Sequence, residues 1–132
     1  MGRFAALMFV LAALVSPALA QPVRTANVEA QLHSARAAVA PGERFTIVLR
    51  QTVREGWHTY WRNPGAAGEA TEIAWRLPPG WTAGEIRWPA PHAIPFETLI
   101  NYGYSDEVLL PVDLSAPASA RPGQNLTLNA HA

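Results

Sequence analysis

Cysteine is absent from the 132 residues of this chain. Small secreted domains often rely on disulfides, so a domain of this size has to be held together by packing alone. Disulfide exchange needs a cysteine thiolate, so these residues cannot perform it by themselves. Lysine is absent too, and ten arginines balance ten acidic residues to a formal net charge of zero. This balance argues against an electrostatic nucleic-acid partner.

Long apolar runs are also missing, because a helix that crosses a bilayer needs about 20 apolar residues. The longest run covers residues 4–15 after the single basic residue Arg3, and small residues then lead to Ala20. This order is typical of a secretory signal peptide, so we predict one over residues 1–20 with cleavage after Ala20. Residues 21–132 suffice for one domain with a single modest core.

A helical period is not evident after the signal peptide, whereas apolar and polar residues alternate in many short segments. Turn signals such as Pro-Gly separate these segments about every ten residues, which is typical of short antiparallel strands. The spacing predicts an all-β fold, an immunoglobulin-like antiparallel β-sandwich. The predicted strands are residues 28–33, 45–53, 58–61, 73–77, 86–88, 99–104, 108–114 and 126–131.

The connections between these strands follow from proline, glycine and short polar turns. Residues 63–68 and 89–95 are predicted to be loops, because proline removes a backbone donor from any sheet ladder. Ser105 and Asp106 are predicted to join two strands into a hairpin. The last alternating segment reaches the end of the sequence without a turn, so we expect the printed chain to be a fragment of a longer protein.

All five tryptophans lie between Trp57 and Trp88. Trp75 shares a strand face with apolar neighbours and is predicted to be core, as are Trp57 and Trp61, which share a face of their own. Trp81 and Trp88 flank loops. An exposed platform for a carbohydrate is the weaker interpretation of these last two residues.

Residues that could support catalysis are scattered. His33, His58, His92 and His131 lack the close spacing of a zinc or copper site, so we expect neither a metal nor another cofactor. A Gly-x-Ser-x-Gly nucleophile motif is absent from the sequence, and hydrolysis is therefore unsupported.

Several aromatic motifs follow one another in a specific order. They are GWHTYWRNPG at 56–65, IAW at 73–75, LPPGW at 77–81, IRWPAP at 86–91, NYGY at 101–104 and LLPV at 109–112. In this order they resemble the N-terminal periplasmic domain of the DsbD and ScsB family of thiol:disulfide interchange proteins. The resemblance extends over nearly all of residues 27–132.

The resemblance implies an immunoglobulin-like domain in the periplasm, tethered by the rest of an inner-membrane protein-disulfide reductase. Such a domain passes reducing equivalents to thioredoxin-fold partners, among them disulfide isomerases and cytochrome c maturation proteins. A pair of cysteines performs the exchange through a mixed disulfide. In similar sequences the pair follows the strand that matches residues 125–132. We therefore expect it beyond Ala132, the alternative being a natural variant without the pair.

In relatives an aromatic side chain on a cap loop shields the cysteine pair until a partner displaces it. The matching region here is roughly residues 94–104, which makes Phe96 the best candidate for capping or partner docking, with Tyr102 and Tyr104 nearby. The second hypothesis for the chain is a non-catalytic immunoglobulin-like periplasmic binding module, whose loop aromatics hold a protein or a glycan.

Overall fold

The structure is a computed structural model that describes residues 18–121 and 129–131. Every helix or strand in these residues is a β-strand, which confirms the predicted all-β class. Accordingly, the described residues contain no helix able to cross a membrane. The strands are β1 (Ala18–Leu19), β2 (Val23–Arg24), β3 (Val28–Ser34), β4 (Arg44–Val53), β5 (Thr59–Gly65), β6 (Ala74–Arg76), β7 (Thr82–Ile86), β8 (His92–Phe96), β9 (Leu99–Tyr104), β10 (Glu107–Ser115) and β11 (Asn129–His131).

These strands pair antiparallel in three sheets. The largest has the order β1-β3-β4-β10-β7, and β2 also pairs with β3. A second sheet has the order β5-β9-β8, and β11 pairs with β6 in a third. The inner face of the largest sheet packs against apolar residues of both smaller sheets. The result is the predicted immunoglobulin-like β-sandwich.

The central strands β4 and β10 form the core because apolar residues alternate with polar ones along both of them. Leu49 lies opposite Leu110, and Ile47 lies opposite Val112. All four side chains are buried. Burying an aliphatic side chain of this size contributes roughly 1.5–3 kcal/mol, so this strand pair carries much of the stability of the domain.

Tryptophans cover the core at both ends of this strand pair. Trp75 and Trp81 pack against the buried cluster around Phe45, while Trp61 and Trp88 pack against the cluster around Leu49. All four are half-buried, which agrees with the predicted core role of Trp61 and Trp75. Because Trp81 and Trp88 contact different clusters, they do not form a joint exposed platform.

The predicted core position of Trp57 is wrong. Its side chain is 52% exposed. The backbone N–H of Trp57 donates to the carbonyl oxygen of Arg54, so Trp57 closes a turn. Strand β5 begins only at Thr59, and the alternation that placed Trp57 and Trp61 on one face does not extend back to Trp57.

The predicted hairpin around Ser105 and Asp106 is also wrong. Strand β9 pairs with β5 and β8, whereas β10 pairs with β4 and β7, so the chain crosses here between the two layers of the sandwich. Asp106 makes the crossing with a φ of 62°. Aspartate tolerates this left-handed conformation better than most residues.

Two predicted loops are partly strands. β5 continues to Gly65, and His92 to Phe96 form β8 at the edge of the second sheet. Phe96 and Leu99 flank a two-residue turn, so their backbone N–H and C=O groups bond to each other. Bonded and non-bonded pairs alternate along an antiparallel ladder, so the next pair, Pro95 and Ile100, is not hydrogen-bonded. The nitrogen of Pro95 therefore faces outward, where a proline removes no ladder hydrogen bond.

The two ends of the chain are described only in part, and one internal strand is displaced from its predicted position. Most of the predicted signal peptide lies outside the described residues, although its last part contains β1, paired with β3. Of the predicted strand at 126–131, residues 129–131 are described and form β11. The strand predicted at 86–88 lies earlier, at Thr82–Ile86, because proline follows Trp88 and the pairing with β10 resumes at Ala83 after an irregularity at Gly84 and Glu85.

Candidate functional site

The second sheet ends in a hairpin formed by β8 and β9. Glu97 and Thr98 form its turn. Glu97 has a φ of 54°, a conformation that residues with a side chain seldom adopt outside turns. The hairpin is held in register by five consecutive residue pairs, from His92 opposite Gly103 to Phe96 opposite Leu99.

Four large apolar side chains of this hairpin are exposed. Phe96 is 61% exposed and Ile100 is 51% exposed, and Leu99 and Tyr102 are also exposed. We call these four residues the hairpin tip. Single exposed apolar residues are ordinary on protein surfaces, but four of them on one hairpin make it a candidate site for binding another protein. Alternation places Phe96 and Leu99 on one face of the hairpin and Ile100 and Tyr102 on the other.

The base of the hairpin is anchored in the core through Tyr104, and an aromatic contact of Tyr102 supports the hairpin further along. Tyr104 is 5% exposed, and its hydroxyl donates a hydrogen bond of 2.8 Å to the carbonyl oxygen of Pro89. Burial raises the pKa of Tyr104 above its ordinary value of 10.0, so the hydroxyl keeps its proton and this bond at neutral pH. The ring of Tyr102 meets that of Trp61 edge-on, with 6.5 Å between centroids.

A second set of contacts ties the hairpin to β5 and to the residues that follow it. Asn101 is buried, and its Oδ1 accepts a hydrogen bond of 3.0 Å from the backbone N–H of Ala67. Gly103 lies directly against the backbone of Thr59, where a Cβ would overlap the carbonyl oxygen. The two anchors fix the hairpin, so the exposed tip is presented on a rigid base.

Two other groupings of polar residues were considered as sites within the described ranges, a histidine–serine pair and clusters of metal-binding side chains. Nε2 of His92 lies 3.2 Å from Oγ of Ser105, but no carboxylate bonded to His92 is found in the described part of the chain. A serine beside an unoriented histidine lacks the arrangement that activates a nucleophile. Across residues 18–121 and 129–131, no three of His, Cys, Asp and Glu gather where they could hold a metal ion.

Residues 28–132 match the family model described as the N-terminal domain of the thiol:disulfide interchange protein DsbD. The chain belongs to this family. Among solved structures, it is similar to the N-terminal periplasmic domain of ScsB from Proteus mirabilis, with 26% sequence identity and a TM-score of 0.62. The match covers 79% of this chain and 41% of the ScsB chain, so it spans about two fifths of that chain. A search of curated proteins gave no match.

The DsbD-family resemblance singled out Phe96, Tyr102 and Tyr104 as candidates for capping or docking. In the structure the three side chains differ in exposure and in their place along the hairpin. Phe96 lies at the exposed end of the hairpin and Tyr102 halfway along it. Tyr104 is inside the core, where it cannot touch a partner directly, because its strand face turns toward Leu49 at this point.

The anchoring residues Asn101 and Gly103 of this DsbD-family domain were not predicted as functional residues. Both lie within the NYGY motif at 101–104, which the sequence analysis used only for the family resemblance. Their roles depend on residues about 40 positions earlier, namely Ala67 and Thr59. The signal that could have found them is the glycine placed between two tyrosines of a strand, which indicates a close approach of backbones.

Proposed function

We propose that this domain works in the periplasm as the docking domain of a protein-disulfide reductase, which passes reducing equivalents to thioredoxin-fold partners such as disulfide isomerases and cytochrome c maturation proteins. The observation that carries the proposal is the exposed hairpin tip, because it coincides with the region that the family resemblance assigns to the cap. Membership of the DsbD family and the periplasmic ScsB relative support it.

The chemistry requires two cysteines, which we place in the part of the protein that follows Ala132. One thiolate attacks a sulfur of the partner's disulfide, whose other sulfur leaves as a thiolate. The second cysteine then attacks the mixed disulfide and releases the partner as a dithiol. Two electrons pass to the partner, and the domain retains a disulfide that the rest of the membrane protein reduces again.

The residues described here contribute to this reaction by positioning the partner. Phe96 projects from the hairpin with most of its ring exposed, so it can cover the cysteine pair or pack against a partner. The outward-facing proline of β8 leaves few backbone donors at this edge, which disfavours docking by strand addition. Contact through the side chains of the hairpin tip is the mode that remains.

The test is the rate at which the full-length reduced protein transfers electrons to an oxidised periplasmic disulfide isomerase. Phe96→Ala removes the most exposed ring of the hairpin tip and is expected to lower the second-order rate constant roughly 10-fold, as truncation of a central aromatic contact does in other interfaces. The same variant is expected to speed alkylation of the reduced cysteines by iodoacetamide, because the shield is lost.

Leu109→Ala is the matched control, since Leu109 is also exposed but lies on β10, outside the hairpin. It should change neither rate. If Phe96→Ala and Leu109→Ala gave the same exchange and alkylation rates as the unaltered protein, the hairpin tip would have no part in docking.

A further inference from the structure

A groove of about 500 Å³ opens between the residues around β6 and those around β7. Its floor is apolar and consists of Ile73, Trp75, Ile86 and Trp88. All four side chains pack against the buried clusters of the sandwich, so the floor is already formed without a ligand. The volume lies within the ~300–1,000 Å³ that is usual for binding sites. Gly84 has no side chain to close the opening.

The rim of this groove carries the charged side chains of Arg62, Glu72 and Glu85, all of them exposed. None of the three takes part in the ion pairs found within the described residues. The rim therefore has an excess of one negative charge. Indole faces attract cations, and carboxylates bind them by charge-assisted hydrogen bonds, so this combination favours a basic group.

Two side-chain contacts link the groove to Tyr102 of the hairpin tip. The guanidinium of Arg62 at the groove lies 5.4 Å from the ring centroid of Trp61. Trp61 in turn meets Tyr102 of the hairpin tip edge-on. A protein that covers the Ile100 and Tyr102 face of the hairpin tip can thus reach the groove along these contacts.

We propose that the groove is the second half of the docking surface and takes an extended segment of the partner in which a basic side chain lies between apolar ones. The basic group lies between Glu72 and Glu85, over the indoles of the floor, and the apolar neighbours cover Ile73 and Ile86. Because the charged rim is exposed, salt screens the attraction between the basic group and the two carboxylates. This inference rests on the proposed function, since the partner is the same.

The test uses the 132-residue chain and two synthetic peptides of five residues, one alternating valine with arginine and one alternating valine with glutamate. The indole N–H signals of Trp75 and Trp88 are followed by NMR during each titration. We expect the basic peptide to shift both signals to saturation and the acidic peptide to shift neither. Raising the salt concentration to 0.5 M should weaken binding, because the Debye length falls to about 4 Å.

The double variant Glu72→Gln/Glu85→Gln is expected to weaken binding of the basic peptide at least 5-fold. Its matched control, Glu55→Gln/Glu107→Gln, removes the same charge from positions outside the groove and should leave the dissociation constant unchanged. Equal binding of both peptides, or unchanged binding by the groove variant, would overturn the proposal. So would a soluble oligosaccharide that shifts the two indole signals when the basic peptide does not.

The same variants separate this inference from the function on which it rests. If Phe96→Ala slows electron transfer but the groove variant neither binds the basic peptide less tightly nor slows transfer, the groove has no docking role and the proposed function stands. If the basic peptide binds as expected while Phe96→Ala leaves transfer unchanged, the groove binds cations, and docking through the hairpin tip is refuted.

Discussion

Replacing Leu110 by alanine is expected to lower the free energy of unfolding by about 3 kcal/mol. Leu110 has no exposed surface and lies at the centre of the sandwich, opposite Leu49 and in one cluster with Tyr104. The smaller side chain loses its transfer free energy and leaves a cavity that the paired strands β4 and β10 cannot close, because a ladder of nine residue pairs holds them. Urea denaturation followed by tryptophan fluorescence measures the loss.

Leu109→Ala is the control, because Leu109 precedes Leu110 on the same strand but points to the other face and is 48% exposed. Its free energy of unfolding should stay within about 0.5 kcal/mol of the unaltered chain. Equal losses in the two variants would show that the inner face of β10 is assigned incorrectly.

Gly103→Ala is expected to cost about 3 kcal/mol of stability, a steric effect at the upper end of overpacking changes. A Cβ at this position would overlap the carbonyl oxygen of Thr59 and lie 3.0 Å from the Cα of Tyr60. Both neighbours are backbone, so the clash can be relieved only by moving β5 away from β9. The base of the hairpin should loosen, and amide hydrogen exchange of β9 should become faster.

Gly84→Ala provides the comparison. A Cβ there would meet only the carbonyl oxygen of Asp113 at 3.4 Å, which is ordinary contact. Its stability should change by less than about 1 kcal/mol, since the position is exposed and within a strand. If Gly103→Ala were as stable as Gly84→Ala, β5 and β9 would not lie as close together as the structure places them.

The sequence was sufficient to predict the class of fold and its central strands. Alternation along β4 and β10 specifies which side chains face inward, and burial confirms that pattern. Alternation does not specify which sheet a strand joins. Residues 99–104 and 108–114 each have an inward face, and the short connection between them favoured a hairpin. In the structure the two strands lie in different layers of the sandwich, β9 in the second sheet and β10 in the largest one.

The site shows the same division between local and long-range information. Phe96 and Tyr102 could be singled out by the family resemblance, because the order of the motifs along the sequence locates the cap region. The groove could not, since Arg62, Ile73 and Trp88 are distant in sequence and meet only after the sheets have packed. The burial of Tyr104 and the exposure of Trp57 likewise depend on where the strands begin and how the layers face each other.

The assignment to thiol:disulfide exchange is tested most directly by comparing the full-length protein with the 132-residue chain in one assay. Each is reduced, freed of reductant and mixed with an oxidised periplasmic disulfide isomerase, and the partner's free thiols are counted over time. The full-length protein is expected to produce two thiols per partner disulfide, with a mixed disulfide trapped by acid quenching and seen by mass spectrometry. The 132-residue chain, which contains no cysteine, is expected to produce none. Exchange by the cysteine-free chain, or no exchange by the full-length protein, would contradict the assignment.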